Sequence, residues 1–183
     1  MLTKLIMHSE VREMFSAQIL SISGAVIAGV VLAAMTDKLY LVPGLLILLP
    51  GFLEMRGSIS GSLASRLSSG LFLGAVKPKI ENNSVLKGNI IASIILVVIT
   101  SLVLGLLAYG VGLYFFGITS MKIIYVALVA GLLSNAIQIP LTIFTTFWFF
   151  RRGYDPNNVM GPYTTTAGDI ISVISLYMVV VMI

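Results

Sequence analysis

Long apolar runs with almost no charge inside them decide what this chain can become. A helix needs about 20 apolar residues to cross the hydrocarbon of a bilayer. In lipid every backbone N–H and C=O must be paired within the protein, so runs of that length read as membrane helices. Five are countable, at about residues 14–36, 39–55, 88–116, 118–150 and 159–183. The third and fourth exceed the crossing length, so tilt or extension beyond the bilayer is expected of them. The second is short and holds Pro43-Gly44 and Pro50-Gly51, and the fourth holds Pro140. Proline inside a helix removes a hydrogen bond, so broken or kinked second and fourth spans are expected. The fold class is therefore an all-α membrane protein with five transmembrane helices, forming a single domain over 1–183.

Composition excludes most other classes. The chain is 58% hydrophobic and only 10% charged, against about 25% charged for soluble domains. No stretch is polar and long enough for a soluble catalytic or regulatory domain. The net charge of +4 comes from residues scattered between apolar runs, which is not a nucleic-acid footprint. The absence of Cys excludes a disulfide scaffold and thiolate metal sites. His8 stands alone among polar residues and makes no transition-metal site. No nucleophile triad, Walker loop or HExxH motif is present, so no enzyme is expected. The N-terminus lacks the ordered regions of a cleaved signal peptide, and the first span reads as a retained signal anchor.

Lys and Arg set the orientation. With the N-terminus inside, nine fall on the inner side (Lys4, Arg12, Arg56, Arg66, Lys77, Lys79, Lys87, Arg151 and Arg152) and two, Lys38 and Lys122, on the outer. Five spans then put the C-terminus outside. Trp148, Phe149, Phe150, Arg151 and Arg152 read as an aromatic belt with a basic stop. The expected home is the plasma membrane, as a multi-pass protein.

Asp169 is the residue with most functional content. It lies about ten residues into the last span, near mid-depth, and no charge follows it. A carboxylate there costs about 2.5–3.5 kcal/mol on insertion scales. A chain carries that cost when the acid faces a partner, a wet cavity or a passing ion. The alternative is an acid hydrogen-bonded to a neighbouring helix. Thr165 and Thr166 precede it at helical spacing, either to orient the carboxylate or to bond back to their own helix. Asn135 and Gln138 form a second deep polar pair, as pore lining or as glue between helices. Pro140 frees the carbonyl of Ala136 for a cation or its water. The segment 56–74 puts Ser58, Gly61, Ser62, Ser65 and Ser69 on one helical face, and Ile59, Leu63, Leu67 and Leu71 on another. Around it, Pro50-Gly51 and Gly57 mark either a broken helix lining a cavity or a helix end at the interface, with Glu54 and Arg56 as surface residues.

Two stretches carry a family resemblance. The first is Pro50-Gly51-Phe52-Leu53-Glu54-Met55-Arg56-Gly57-Ser58 continuing through Leu63-Ala64-Ser65-Arg66-Leu67-Ser68. The second runs from Tyr154-Asp155-Pro156-Asn157 through Pro162-Tyr163-Thr164-Thr165-Thr166-Ala167-Gly168-Asp169. Together they resemble the transmembrane domain of the MgtE family of magnesium transporters, and its eukaryotic solute-carrier relatives more closely. The resemblance implies a homodimer of five-span subunits in the lipid membrane, with a path for Mg2+ or other divalent cations between them. It implies that Asp169 binds the cation, helped by the backbone oxygen of Thr165, with Gly57, Ser58, Gly61, Asn135, Gln138 and Thr166 as candidate pore-lining positions. The chain departs from the family at Ser58, where the family has Asn, and at Ser60, where the relatives have an acid. The remaining readings are a proton- or sodium-coupled transporter of another substrate, and a membrane scaffold subunit that transports nothing.

Overall fold

The computed structural model describes residues 2–39, 42–117 and 120–183, and for residues 2–10, 38 and 39 it describes the backbone alone. Tyr40 and Leu41, in the first turn of the expected second span, and Ile118, where the expected fourth begins, lie outside the described residues, as does the side chain of His8. The described residues are mostly helical, with no strand among them. In order the helices are α1 (Leu2–Ala34), the short α2 (Thr36–Leu39), α3 (Leu45–Phe72), α4 (Ser84–Phe116), α5 (Lys122–Arg151) and α6 (Pro156–Met182). Four of them, α1, α4, α5 and α6, hold stretches long and apolar enough to cross a membrane; α4 is the most apolar, with a mean hydropathy of 3.0.

α3 is the exception. It covers both the short apolar run and the small-residue segment, which the sequence separates at Arg56. It runs continuously through Pro50, as α5 does through Pro140. Its apolar face, with Ile59, Leu63, Leu67 and Leu71, is buried, while Ser58, Ser62, Ser65 and Ser69 stay exposed. That division is the one expected from the spacing, because residues three and four apart share a helix face.

Local chemistry sets the helix ends. Asn83 accepts from the N–H groups of Val85 and Leu86 at 2.8 and 3.1 Å and caps α4. Asp155 accepts from the Asn157 N–H at 2.9 Å and caps α6, with Pro156 in the first turn. The Asp-Pro pair thus starts the helix that carries Asp169. Arg152 lies over the Trp148 ring at 5.1 Å at the end of α5.

α3, α5 and α6 pack against one another at the centre; α4 flanks α3 and α5, and α1 lies along α6. Antiparallel packing brings the start of α5 to the end of α6, where Lys122 Nζ donates to the Ile183 carbonyl at 3.3 Å. Two apolar clusters fill the interior. One joins Leu45, Leu48 and Phe52 of α3 to Ile123, Val126 and Ala130 of α5 and to Leu176 and Val180 of α6. The other joins Leu63, Leu67 and Leu71 of α3 to Ile139, Ile143 and Phe147 of α5. Between them, along α3 and α5, lies a buried polar layer that includes Arg56, Ser60, Ser134, Asn135 and Gln138, faced by Thr164 and Ser172 of α6.

Candidate cation site

The polar layer is organised by an ion pair. Arg56, in the middle of α3, is fully buried, and its Nη2 donates to Asp169 Oδ1 of α6 at 2.7 Å. Its Nη1 donates to the Thr164 carbonyl at 3.2 Å. Gln138 of α5 donates through Nε2 to the same carbonyl at 3.1 Å. Three helices therefore meet at one backbone oxygen and one carboxylate. A carbonyl has two lone pairs, so that of Thr164 can serve donors beyond its own helix.

Gly168 makes the arrangement sterically allowed. A Cβ at that position would lie 1.4 Å from Arg56 Nη1. The missing side chain opens a notch in α6 that the guanidinium occupies. A buried charge is tolerated when it is paired and hydrogen-bonded, and Arg56 meets both conditions only in part. Its Nε has no partner among the described residues, and neither do Ser60 Oγ, Gln138 Oε1, Thr142 Oγ1 or Ser172 Oγ, all buried in the same core.

The ion pair engages Asp169 through Oδ1, and the Asp169 side chain keeps 20% of its surface exposed. Thr165, one turn earlier on α6, is exposed. Its hydroxyl bonds back to the Gly161 carbonyl at 3.0 Å and so does not orient the carboxylate. Thr166 turns toward α1: its hydroxyl donates to the carbonyls of Ser21 at 3.3 Å and Pro162 at 3.0 Å. Its methyl fills the space left by Gly24, where a Cβ would come within 1.9 Å of it. Both threonines bond back to their own helix, and Thr166 also reaches α1.

The remaining candidates separate. Gln138 joins the Arg56 cluster, whereas Asn135 donates to the Gly131 carbonyl of its own helix at 3.0 Å. Asn135, Ala136 and Pro140 line an apolar groove with Ile90, Ile94 and Val97 of α4. Ser58 lies with Glu54 and Ser62 in a second groove beside α4. Gly57 and Gly61 are half-buried; at about 100° per residue they fall between the buried Arg56–Ser60 stripe and the exposed Ser58–Ser62 stripe.

Of the two readings of the segment around Gly57, the one with Glu54 and Arg56 both as surface residues does not hold for Arg56. It turns inward instead, and Glu54 is exposed. The signal was present: charges inside membrane helices pair with one another, and Asp169 is the acid deep in the opposite span. Thr164 and Gly168 were invisible for another reason. Their roles come from a backbone oxygen, which every residue has, and from a missing side chain.

Among the described residues no group of three or more His, Cys, Asp or Glu side chains converges as a metal site. At this site one chain offers a cation the Asp169 carboxylate, already shared with an arginine. Comparison with known proteins gives the family. Residues 49–179, more than half of the chain, match the MgtE family, described as divalent cation transporter. No match was found among curated proteins or among solved structures. The matched stretch begins in α3 and ends in α6, so it contains Arg56, Gln138, Thr164, Gly168 and Asp169, and on it the chain belongs to the MgtE family of divalent cation transporters.

Proposed function

We propose that the chain moves divalent cations, Mg2+ above others, across the plasma membrane along a path between two copies of itself, with Asp169 as the central ligand. The backbone oxygen of Thr165 assists, and Gly57 and Gly61 line the path. Family membership supports divalent cation transport as such. The observation that carries the finer reading is the position of Asp169: halfway along α6, held through one oxygen, and still one-fifth exposed beside the exposed Thr165. Magnesium dehydrates reluctantly and touches one or two carboxylates while keeping several waters. Two chains meeting at a two-fold axis would supply two such acids, enough to balance one dication. Moving two charges inward through 100 mV gains about 4.6 kcal/mol, at about 2.3 per charge. With the N-terminus inside, a passive path suffices for uptake.

The test is a panel of divalent cations in proteoliposomes, comparing the unmodified chain with Asp169→Asn. The doubly substituted Arg56→Met/Asp169→Asn chain, which leaves no lone buried charge, runs alongside as a control for folding. Mg2+ uptake should fall to background in both variants. Uptake at the unmodified rate by either would remove Asp169 from the centre of the path. A proton- or sodium-coupled transporter of another substrate is the second reading, favoured by Arg56, which neutralises Asp169 without any metal. Flux that follows a pH or sodium gradient and ignores divalent ions would establish it.

A further inference from the structure

We propose that Arg56 is a tethered competitor for the Asp169 carboxylate: its guanidinium occupies the ligand position in the unloaded chain, and a divalent cation binds by displacing it. The inference rests on the reading of Asp169 as the cation ligand and adds the residue that sets its affinity. The geometry is direct. The guanidinium is a cation, in contact with the acid at 2.7 Å, on a side chain with no exposure. Arginine stays charged, so it cannot make way for a metal by losing a proton. A dication touching the same carboxylate would lie within a few ångströms of that charge in a poorly screening interior, where like charges repel strongly. The two cations cannot both hold Asp169 at full strength.

The seat is made for a guanidinium and yet leaves it incompletely held. Gly168 supplies the notch, and the Thr164 carbonyl accepts Nη1 at 3.2 Å. An arginine has five N–H donors. Two find acceptors in named bonds, and the buried Nε has none among the described residues. A buried charge with unmatched donors is held less firmly than a saturated one. Acceptors for a shifted guanidinium exist in the same core: Ser60 Oγ, one turn along α3, and Gln138 Oε1 are both buried and unpartnered. Such a competitor is useful to a transporter, because an ion must bind well enough to enter and weakly enough to leave.

Titration of Mn2+ and of Mg2+ into the full chain in lipid nanodiscs tests the idea. Removing a charge-assisted hydrogen bond that competes with the ion should tighten binding by about ten- to a hundredfold in Arg56→Met. Gly168→Ala retains every charged group and fills the notch, so it should tighten binding in the same direction; it also decides the matter should Arg56→Met fail to fold. The gain should vanish in Arg56→Met/Asp169→Asn. Unchanged or weaker affinity in Arg56→Met and Gly168→Ala, with binding lost in Asp169→Asn, overturns the competitor role and leaves Asp169 as the ligand. Unchanged affinity in Asp169→Asn overturns the ligand reading itself, and the competitor role with it.

Discussion

Breaking the Arg56–Asp169 pair from its two sides should have unequal costs. Arg56 is fully buried and Asp169 is one-fifth exposed. In Asp169→Asn the guanidinium stays buried and cannot deprotonate; the Thr164 carbonyl and the new amide oxygen can still accept from it, but its counter-charge is gone. Removing one member of a buried pair costs about 3–5 kcal/mol, and this side should reach that range. In Arg56→Met the stranded group is a carboxylate, which can take up a proton and is partly exposed, so the cost should be smaller, about 1–3 kcal/mol. The doubly substituted chain leaves no lone charge and should lie within about 1–2 kcal/mol of the unmodified protein, since replacing a whole buried pair is often neutral. The coupling between the two positions should then be at least about 2 kcal/mol, well above the few tenths found for independent sites. Equilibrium unfolding in lipid bicelles measures all four corners of the cycle. Additive single costs, or an Asp169→Asn cost no larger than that of Arg56→Met, would refute the reasoning.

Substitutions at three further positions separate architecture from transport. Gly24→Ala puts a Cβ 1.9 Å from the Thr166 methyl, so it should destabilise the α1–α6 packing by about 1–3 kcal/mol in the same unfolding assay and leave Mn2+ affinity unchanged. Asp155→Ala removes the cap of α6 and should cost about 1 kcal/mol, while Asp155→Asn, which can still cap, should cost much less. Thr165→Ala deletes a hydroxyl bonded to its own helix, so stability should stay within about 0.5 kcal/mol and Mg2+ uptake near the unmodified rate; a collapse of uptake would mean that the hydroxyl, rather than the backbone oxygen, serves the ion.

The apolar runs and the position of Asp169 were legible without a structure, because both express one-dimensional physics. A bilayer demands helices of a certain length, and a lone acid inside one is costly wherever the helix packs. The faces of α3 were legible for a similar reason: helical spacing alone separates Ile59 and Leu63 from Ser58 and Ser62. Continuity across Pro50 was not. The chain marks a break there, but α3 is held on several sides by α4, α5 and α6, and tertiary packing routinely overrides local propensity. The pairing of Asp169 was only hinted at, by the rule that charges inside membrane helices pair with one another. Arg56 is 113 positions away, and only the antiparallel packing of α3 on α6, with Gly168 between them, brings guanidinium and carboxylate together. A sequence shows where the apolar runs lie and which charges fall in or beside them. Which of them meet, and with what room between them, is a property of helix packing in three dimensions.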